Sequence, residues 1–253
     1  MKSKSLLTLV AVLFMSVVTA YSQAVDDVIN KSITAIGGKE KIKAVNSMKV
    51  YVNFDSQGMK IPVTMTFKRP GMILSEVEVQ GMKILTGFDG KHGWMLNPMT
   101  GKTEAEPMPE ESLKQLKDQA DYDGKLVDYA AKGYKAELLG KEEVEGTNVY
   151  KVKLTKGEDV TTYFIDTETY LVLKERTKTV YKGKEMVSDA IYSDYRETSG
   201  GIKYPFSIEQ REVDAEEGSK MTVDKVEVNV DVDEAIFKMP NSVTKTSTPA
   251  KDK

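Results

Sequence analysis

The sequence predicts a mainly β protein of the α+β class, with a single, strongly curved antiparallel sheet of about 11–12 strands. From Ser47 onward, apolar residues alternate with polar ones, as they do in strands that bury one face. Turn sequences such as Asp89-Gly90 separate these stretches, which is typical of antiparallel hairpins. Helical spacing occurs near the N-terminus and in short segments midway. We therefore expect a curved sheet with an N-terminal helix and short helices covering its open side.

Residues 1–22 are typical of a secretory signal peptide. Lys2 and Lys4 give a positively charged start, an apolar run extends from Leu6 to Val18, and Ala20-Tyr21-Ser22 offers a cleavage site between small residues. The run is too short for a stable membrane span, although an N-terminal anchor helix is the alternative interpretation. We therefore expect a chain that is exported to the periplasm, with the signal peptide removed.

The remaining composition predicts one domain. The sequence has no Cys, so no disulfide can stabilise the exported chain. About 230 residues can still bury a sizeable core, and no flexible linker divides them, so we expect a single domain over residues 23–240. Residues 241–253 are polar and are predicted to be a disordered tail. The formal net charge of −3 and the lack of a basic stripe argue against nucleic acid as a partner.

The first part of the chain predicts a helix followed by consecutive strands. Apolar residues at helical spacing begin at Val25 and end at Ile36, before Gly37-Gly38, and predict the N-terminal helix. The alternating stretches that follow predict a hairpin and three further strands; they cover residues 50–54, 61–67, 72–79, 82–88 and 92–96.

A helical insertion and a second run of strands complete the prediction. Pro107 and Pro109 precede Leu113 and Leu116 at helical spacing, which indicates a helix that starts after the prolines. A second short helix is predicted over residues 126–131. The predicted strands then resume, and one helical turn precedes Pro240; the strands cover residues 134–139, 148–155, 160–166, 170–181, 185–195, 202–213 and 220–230, and the turn covers 233–237.

Residue types needed for catalysis are scarce. The single His, His92, could serve in a Ser-His-Asp site, but no G-x-S-x-G turn accompanies it, and a surface residue beside a turn is the simpler interpretation. A metal would depend on carboxylates, and no EF-hand spacing occurs. Paired carboxylates of a glycan hydrolase remain an open alternative, because such pairs come from distant strands. We predict no catalytic residue, no metal and no cofactor, and hence a protein that is not an enzyme.

Methionine and Arg69 favour a binding function. Eight of the 13 Met lie between Met48 and Met108, and their flexible side chains suit variable apolar partners, although ordinary core packing is the alternative. Arg69 is one of four Arg and ends a strand directly before Pro70. Its guanidinium can hold carbonyl oxygens at a helix end or a ligand headgroup, and a plain surface charge is the alternative.

Two sets of residues resemble a known family. The first matches, in order and approximate spacing, the N-terminal half of the periplasmic lipoprotein carrier LolA; it comprises Phe67-Lys68-Arg69-Pro70, Gly81, Asp89-Gly90, Trp94 and Asn97-Pro98. The second resembles the wider LolA-like group of outer membrane lipoprotein-sorting proteins; it comprises Ala35-Ile36-Gly37-Gly38, Asp194-Tyr195-Arg196 and Tyr204-Pro205. The resemblance covers most of residues 24–240, but the C-terminal segment that LolA uses to hand over its cargo is not recognisable.

The resemblance implies an unclosed β-barrel with helices as a lid over an apolar cavity, in which Arg69 would bond to the lid-helix backbone. It implies a periplasmic carrier or chaperone of lipid or lipoprotein acyl chains, moving them from an inner-membrane transporter toward an outer-membrane acceptor. The alternatives are a lipid- or lipoprotein-sensing module that signals to a membrane partner, and a glycan hydrolase. The candidate cavity and lid residues are Arg69, Val63, Met65, Phe67, Met72, Met82, Ile84, Trp94, Leu113 and Leu116.

Overall fold

The computed structural model describes residues 23–240, apart from 57, 182–183, 214 and 216–217. The predicted signal peptide and the predicted C-terminal tail both lie outside the described residues. Among the described residues, no helix has the length and apolar character needed to cross a bilayer.

Helices form a small part of the described chain. Helix α1 covers residues 23–35, α2 covers Lys39–Ala44 and α3 covers Glu110–Ala120. Single 3₁₀ turns cover Pro98–Thr100 and Glu234–Phe237. The latter turn confirms the one predicted before Pro240, and the Asp233 carboxylate caps it by accepting from the Ala235 N–H at 2.9 Å.

Thirteen strands occur in the described residues, slightly more than predicted, because the two-residue strand β6 has no alternating pattern. Their bounds are β1 Ser47–Ser56, β2 Met59–Lys68, β3 Met72–Val79, β4 Met82–Phe88, β5 Gly93–Leu96, β6 Glu106–Pro107, β7 Lys135–Val144, β8 Thr147–Lys156, β9 Asp159–Asp166, β10 Val172–Tyr181, β11 Lys184–Glu197, β12 Lys203–Glu212 and β13 Ser219–Val228.

The strands follow one another in the sheet almost as they do in the sequence. The order is β6-β5-β4-β3-β2-β1-β13-β12-β11-β10-β9-β8-β7, and β1 to β6 and β7 to β13 pair antiparallel with their chain neighbours. The order is linear, and it starts at β6 and ends at β7. The predicted mainly β, antiparallel architecture is therefore confirmed.

Contacts divide the chain into two compact units, each made of two separate stretches. Unit 1 comprises the described parts of Met1–Ala44 and Asp123–Val223, and unit 2 comprises those of Val45–Tyr122 and Asp224–Lys253. Strand β13 contributes residues to both units. The assignment of residues 23–240 to a single domain stays a prediction.

Unit 1 has its core between α1 and the sheet. Val28, Ile29 and Ile33 of α1 are buried against strands β8 and β9, where Leu154 and Ile165 have no exposed surface. These helix residues recur every three or four positions, so they share one face of α1 and bury it together. The helical spacing in the sequence therefore identified the core side of α1 correctly.

The predicted helix over residues 126–131 is wrong. The chain forms consecutive turns there, because Asp128 has a φ of 56° and Gly124 and Gly133 also have positive φ values, which a right-handed helix does not accommodate. Val127 is nevertheless 1% exposed and packs in the unit 1 core. The apolar residues of this segment are therefore explained by turns that pack against the core, and not by a helix.

Candidate functional site

The apolar face of unit 2, on strands β1–β4, is the candidate site. The register places its side chains in rows, since directly opposite residues of an antiparallel pair point to the same side. Three rows and two further pairs make up this face: Met48, Phe67, Ile73 and Phe88; Val50, Met65, Ser75 and Thr86; Val52, Val63, Val77 and Ile84; and the pairs Phe54–Ile61 and Val79–Met82. Five of the candidate residues lie together on it, namely Val63, Met65, Phe67, Met82 and Ile84.

Burial decreases from one end of the apolar face to the other. All four side chains of the row that contains Phe67 are at most 6% exposed. In the row that contains Val52, that residue is buried, whereas Val63, Val77 and Ile84 are half-buried. Contiguous apolar side chains that stay in contact with water forgo part of the hydrophobic free energy, and such patches mark binding surfaces. The half-buried end is therefore the part of this face that is available to a ligand.

Helix α3 covers the buried end of the apolar face. Gly93 lies opposite Phe88 in the buried row, and a Cβ at Gly93 would come within 2.3 Å of Leu113 Cδ2 and 3.3 Å of Leu116 Cδ2. Leu116 is 4% exposed. Only glycine lets the helix approach the strand this closely, so Leu113 and Leu116 pack over the sheet.

Arg69 contacts the residue before β1 and a residue that follows α3. Its Nε donates to the Val45 carbonyl oxygen at 2.9 Å, just before β1. Its guanidinium carbon lies 4.9 Å from the ring centroid of Tyr122, which follows α3, and the Tyr122 hydroxyl donates to the same Val45 oxygen at 2.7 Å. The Phe67 ring of the apolar face lies 5.7 Å from the Tyr122 ring. Arg69 thus holds the chain after α3 through Tyr122, a contact that the sequence analysis did not identify.

A shallow cleft opens beside Arg69. It has a volume of about 280 Å³, and its lining includes Phe88, Lys117 and Tyr122. The peptide bond between Arg69 and Pro70 is cis. Arg69 and Phe88, which belongs to the buried row of the apolar face, both line this cleft. Since Lys117 of α3 lines it too, the end of α3 is in contact with solvent on this side.

Met72 and Trp94 do not belong to the apolar face, which corrects their prediction as cavity residues. Met72 lies opposite Lys68, and Trp94 lies opposite Gly87, so both point to the other side of the sheet. There they are 8% and 2% exposed and pack with Phe237. The Trp94 Nε1 donates to the Phe237 carbonyl oxygen at 2.7 Å. The C-terminal segment therefore covers this second face as ordinary core.

The single histidine lies in a surface turn. The His92 side chain is 82% exposed, and its Nδ1 lies 3.5 Å from the Asp89 carboxylate. Burial alone would raise the pKa of Asp89, but hydrogen bonds from the His92 and Lys91 N–H groups outweigh it and lower the pKa below its usual value. Over residues 23–240, excluding the gaps in the description, no group of three His, Cys, Asp or Glu side chains could hold a metal ion.

Comparison with solved structures identifies the fold. Three proteins have TM-scores of 0.57, 0.54 and 0.54: a DUF1329 family protein from Desulfovibrio piger, a LolA superfamily protein from Nitrosomonas europaea and an outer membrane lipoprotein-sorting protein domain from Vibrio parahaemolyticus. They are 14%, 13% and 10% identical to the chain, cover 85%, 82% and 78% of it, and are themselves covered to 97%, 97% and 93%. At these identities, the likeness concerns the fold alone.

Sequence comparison gives the family. No curated protein matches the sequence significantly. A protein-family model described as "Uncharacterized protein" matches residues 71–241, which is more than half of the chain. The chain therefore belongs to that family, and its fold is the one found in LolA superfamily and outer membrane lipoprotein-sorting proteins.

Proposed function

We propose that the chain is a periplasmic carrier that binds acyl chains of a lipid or lipoprotein on the apolar face of unit 2. The observation that carries the proposal is the half-buried row of Val63, Val77 and Ile84, which crosses three neighbouring strands without a polar side chain. Water rejects acyl chains by ~0.8 kcal/mol per CH₂ group, so covering them with such a row is favourable without any chemistry.

The fold supports the same function. The similar protein from Vibrio parahaemolyticus is described as an outer membrane lipoprotein-sorting protein domain. A carrier of this kind needs an extracytoplasmic location, a donor at the inner membrane and an acceptor at the outer membrane, and these belong to the proposal. Since the cargo has to be released, its affinity for the apolar face must be moderate, and a partly covered face provides that.

Matched substitutions at neighbouring positions test the acyl-binding role. Val63 lies on the apolar face, whereas Thr64 lies opposite Tyr51 on the other side of the sheet, and both are half-buried. We expect Val63→Lys to weaken binding of a fluorescent fatty-acid probe at least tenfold, because its ammonium group would have to be desolvated by the acyl chain. Thr64→Lys is expected to bind the probe like the wild type. Equal probe affinities of the two variants would contradict the proposal.

Arg69→Leu tests the role of α3 as a lid. The substitution removes the donor to the Val45 oxygen and the cation over the Tyr122 ring, so the end of α3 is held less firmly. We expect several-fold tighter binding of the same probe, because less free energy is spent on moving the helix. Lys117→Leu, which removes a cation from the same cleft, serves as the control. A probe affinity equal to that of the wild type in Arg69→Leu would count against the lid.

A further inference from the structure

Unit 1 carries a carboxylate on the side of the sheet that forms its core. Glu175 on β10 lies directly opposite Tyr163 on β9 and Ala190 on β11. Tyr163 is 5% exposed and packs in the core under α1, so Glu175 points to the core side as well. A charge in this position costs desolvation free energy unless an opposite charge or hydrogen bonds compensate it.

Three side chains surround the Glu175 carboxylate. The Thr177 hydroxyl donates to Oε1 at 3.1 Å, the Tyr192 hydroxyl donates to Oε2 at 3.3 Å, and the Lys125 Nζ lies 3.7 Å from Oε1. Lys125 also donates to the Thr161 hydroxyl at 3.1 Å. The Glu175 and Lys125 side chains are 19% and 24% exposed. The two charges compensate each other, and both remain in contact with solvent.

Tyr192, which donates to the Glu175 carboxylate, has two further tyrosines near it, Tyr195 and Tyr204. Burial, followed by the charge of Glu175, raises the pKa of Tyr192 well above its usual value and raises that of Tyr195 too. Burial raises the pKa of Tyr204 to about 12. These hydroxyls are therefore protonated at neutral pH. Tyr195 donates to the Val172 carbonyl oxygen at 2.8 Å, whereas the Tyr204 hydroxyl has no hydrogen-bond partner among the residues that the structure describes. Solvent nevertheless reaches the half-buried side chain of Tyr204.

Apolar side chains adjoin these polar groups. Tyr192 lies opposite Ile208, which in turn lies opposite Met221, so the three share one side of the sheet. Ile208 and Met221 are half-buried. We name Lys125, Glu175, Tyr192, Tyr195 and Tyr204 the polar cluster. A ligand bound there would meet hydrogen-bonding groups and apolar surface side by side.

We infer that the polar cluster is a binding site for a neutral, hydroxyl-rich group such as a sugar or glycerol moiety. The negative charge of Glu175 would repel an anion, and the positive charge of Lys125 would repel a cation. A purely apolar ligand would cover Glu175 and Tyr204 without giving them hydrogen bonds, which is costly. A neutral polyol can donate to the carboxylate, accept from the Tyr204 hydroxyl and pack its C–H groups against Ile208 and Met221.

This inference goes beyond the proposed carrier function, because it concerns unit 1 and does not depend on the apolar face of unit 2. The polyol could be a free sugar or the headgroup of a lipid. Glucose, octyl β-glucoside and octyl sulfate, each used below any micelle concentration, separate these sources, since the two amphiphiles share one chain and differ in the headgroup. Calorimetric titration of the full chain measures each affinity.

Tyr204→Phe is the most direct variant, because it removes a hydroxyl without breaking a hydrogen bond to a described residue. We expect it to weaken octyl glucoside binding about fivefold, as the loss of one neutral hydrogen bond does. Octyl sulfate binding should stay unchanged. Tyr150→Phe, at a tyrosine of the same unit that stacks on Tyr170, is the matched control and should bind all probes like the wild type.

Glu175→Gln is the second variant and keeps the shape of the side chain. Because hydrogen bonds to a charged group are stronger, we expect octyl glucoside binding to weaken tenfold or more. Parallel weakening of glucose binding would identify a free sugar as the ligand, and weakening of octyl glucoside alone would identify a lipid headgroup; both results support the site. If both variants bound octyl glucoside with the affinity of the wild type, the inference would be overturned. It would also be overturned if the wild type did not bind octyl glucoside, and the polar cluster would then be a structural ion pair.

Discussion

Two sheet faces in this protein are each covered by a helix, but to very different extents. In unit 1, α1 buries Val25, Val28, Ile29 and Ile33 over strands whose residues Leu154 and Ile165 have no exposed surface. In unit 2, α3 buries Leu116 and Ala120, and only the row of the apolar face beside it is fully buried. The same arrangement of helix and strands therefore completes a core in unit 1 and leaves an apolar surface partly open in unit 2.

The helix sequences account for this difference. In α1, apolar residues recur at each turn and form a continuous stripe, which provides burial along the whole helix. In α3, the sequence EESLKQLKDQA has two Leu and one Ala among polar residues, so it can bury little. The buried contacts of α1 in unit 1 therefore contribute more to stability than the half-buried apolar residues of the apolar face in unit 2.

The largest expected effect compares one side chain from each face. Leu154→Ala removes a fully buried side chain from the unit 1 core and should lower the free energy of unfolding by about 2–5 kcal/mol. Ile84→Ala removes a similar volume from the half-buried apolar face and should cost about 1 kcal/mol, since solvent already reaches that site. Urea unfolding monitored by circular dichroism measures both values. A loss for Ile84→Ala as large as that for Leu154→Ala would mean that the apolar face is ordinary core.

A smaller effect is expected where α3 touches the sheet. Gly93→Ala places a methyl group 2.3 Å from Leu113 Cδ2, so Leu113 has to change rotamer or α3 has to move, at a cost of about 1–3 kcal/mol. Combining it with Leu113→Ala should relieve the clash. The double variant should therefore be more stable than the sum of the single effects predicts. Strict additivity in urea unfolding would show that α3 does not press on Gly93.

Much of the fold could be predicted from the sequence, because alternation with a period of two is a local property. The predicted bounds of β3 and β4, residues 72–79 and 82–88, agree with the observed ones. Alternation does not predict, however, which face of the sheet will be covered or which segment of the chain will cover it. Met72 and Trp94 were assigned to the cavity because the segment that buries them, near Phe237, is distant in the sequence.

The candidate site was predictable only in part, for a related reason. The consecutive apolar residues Met72-Ile73-Leu74 are all buried and indicate a strand covered on both faces, which was the available signal that Met72 faces a second core. Tyr122 and Glu175 had no such signal. Tyr122 lies in an irregular segment, and Glu175 is one of 39 acidic residues, so their roles depend on contacts that only the folded chain provides.

The smallest expected effect concerns how α1 is held in unit 1. The Tyr129 hydroxyl donates to the Asp26 carboxylate of α1 at 2.6 Å, and this hydrogen bond, followed by burial, raises the pKa of Tyr129 to about 12. The unfolded-state pKa is near 10, so the protonated hydroxyl is favoured in the folded state. Its contribution to stability is complete below pH 10 and is lost as the pH rises through 12.

Tyr129→Phe should therefore lower the free energy of unfolding by about 1 kcal/mol at neutral pH. The difference between the wild type and this variant should shrink between pH 10 and 12, because the Tyr129 hydroxyl ionises there in the unfolded state but stays protonated in the folded state. Tyr150→Phe, at a ring that stacks on Tyr170, is the control for the removal of a tyrosine hydroxyl elsewhere in unit 1. Since urea unfolding is measured on all three proteins at each pH, alkaline destabilisation of other groups cancels. A difference for Tyr129→Phe that stays constant up to pH 12 would mean that the bond to Asp26 does not hold α1 in place.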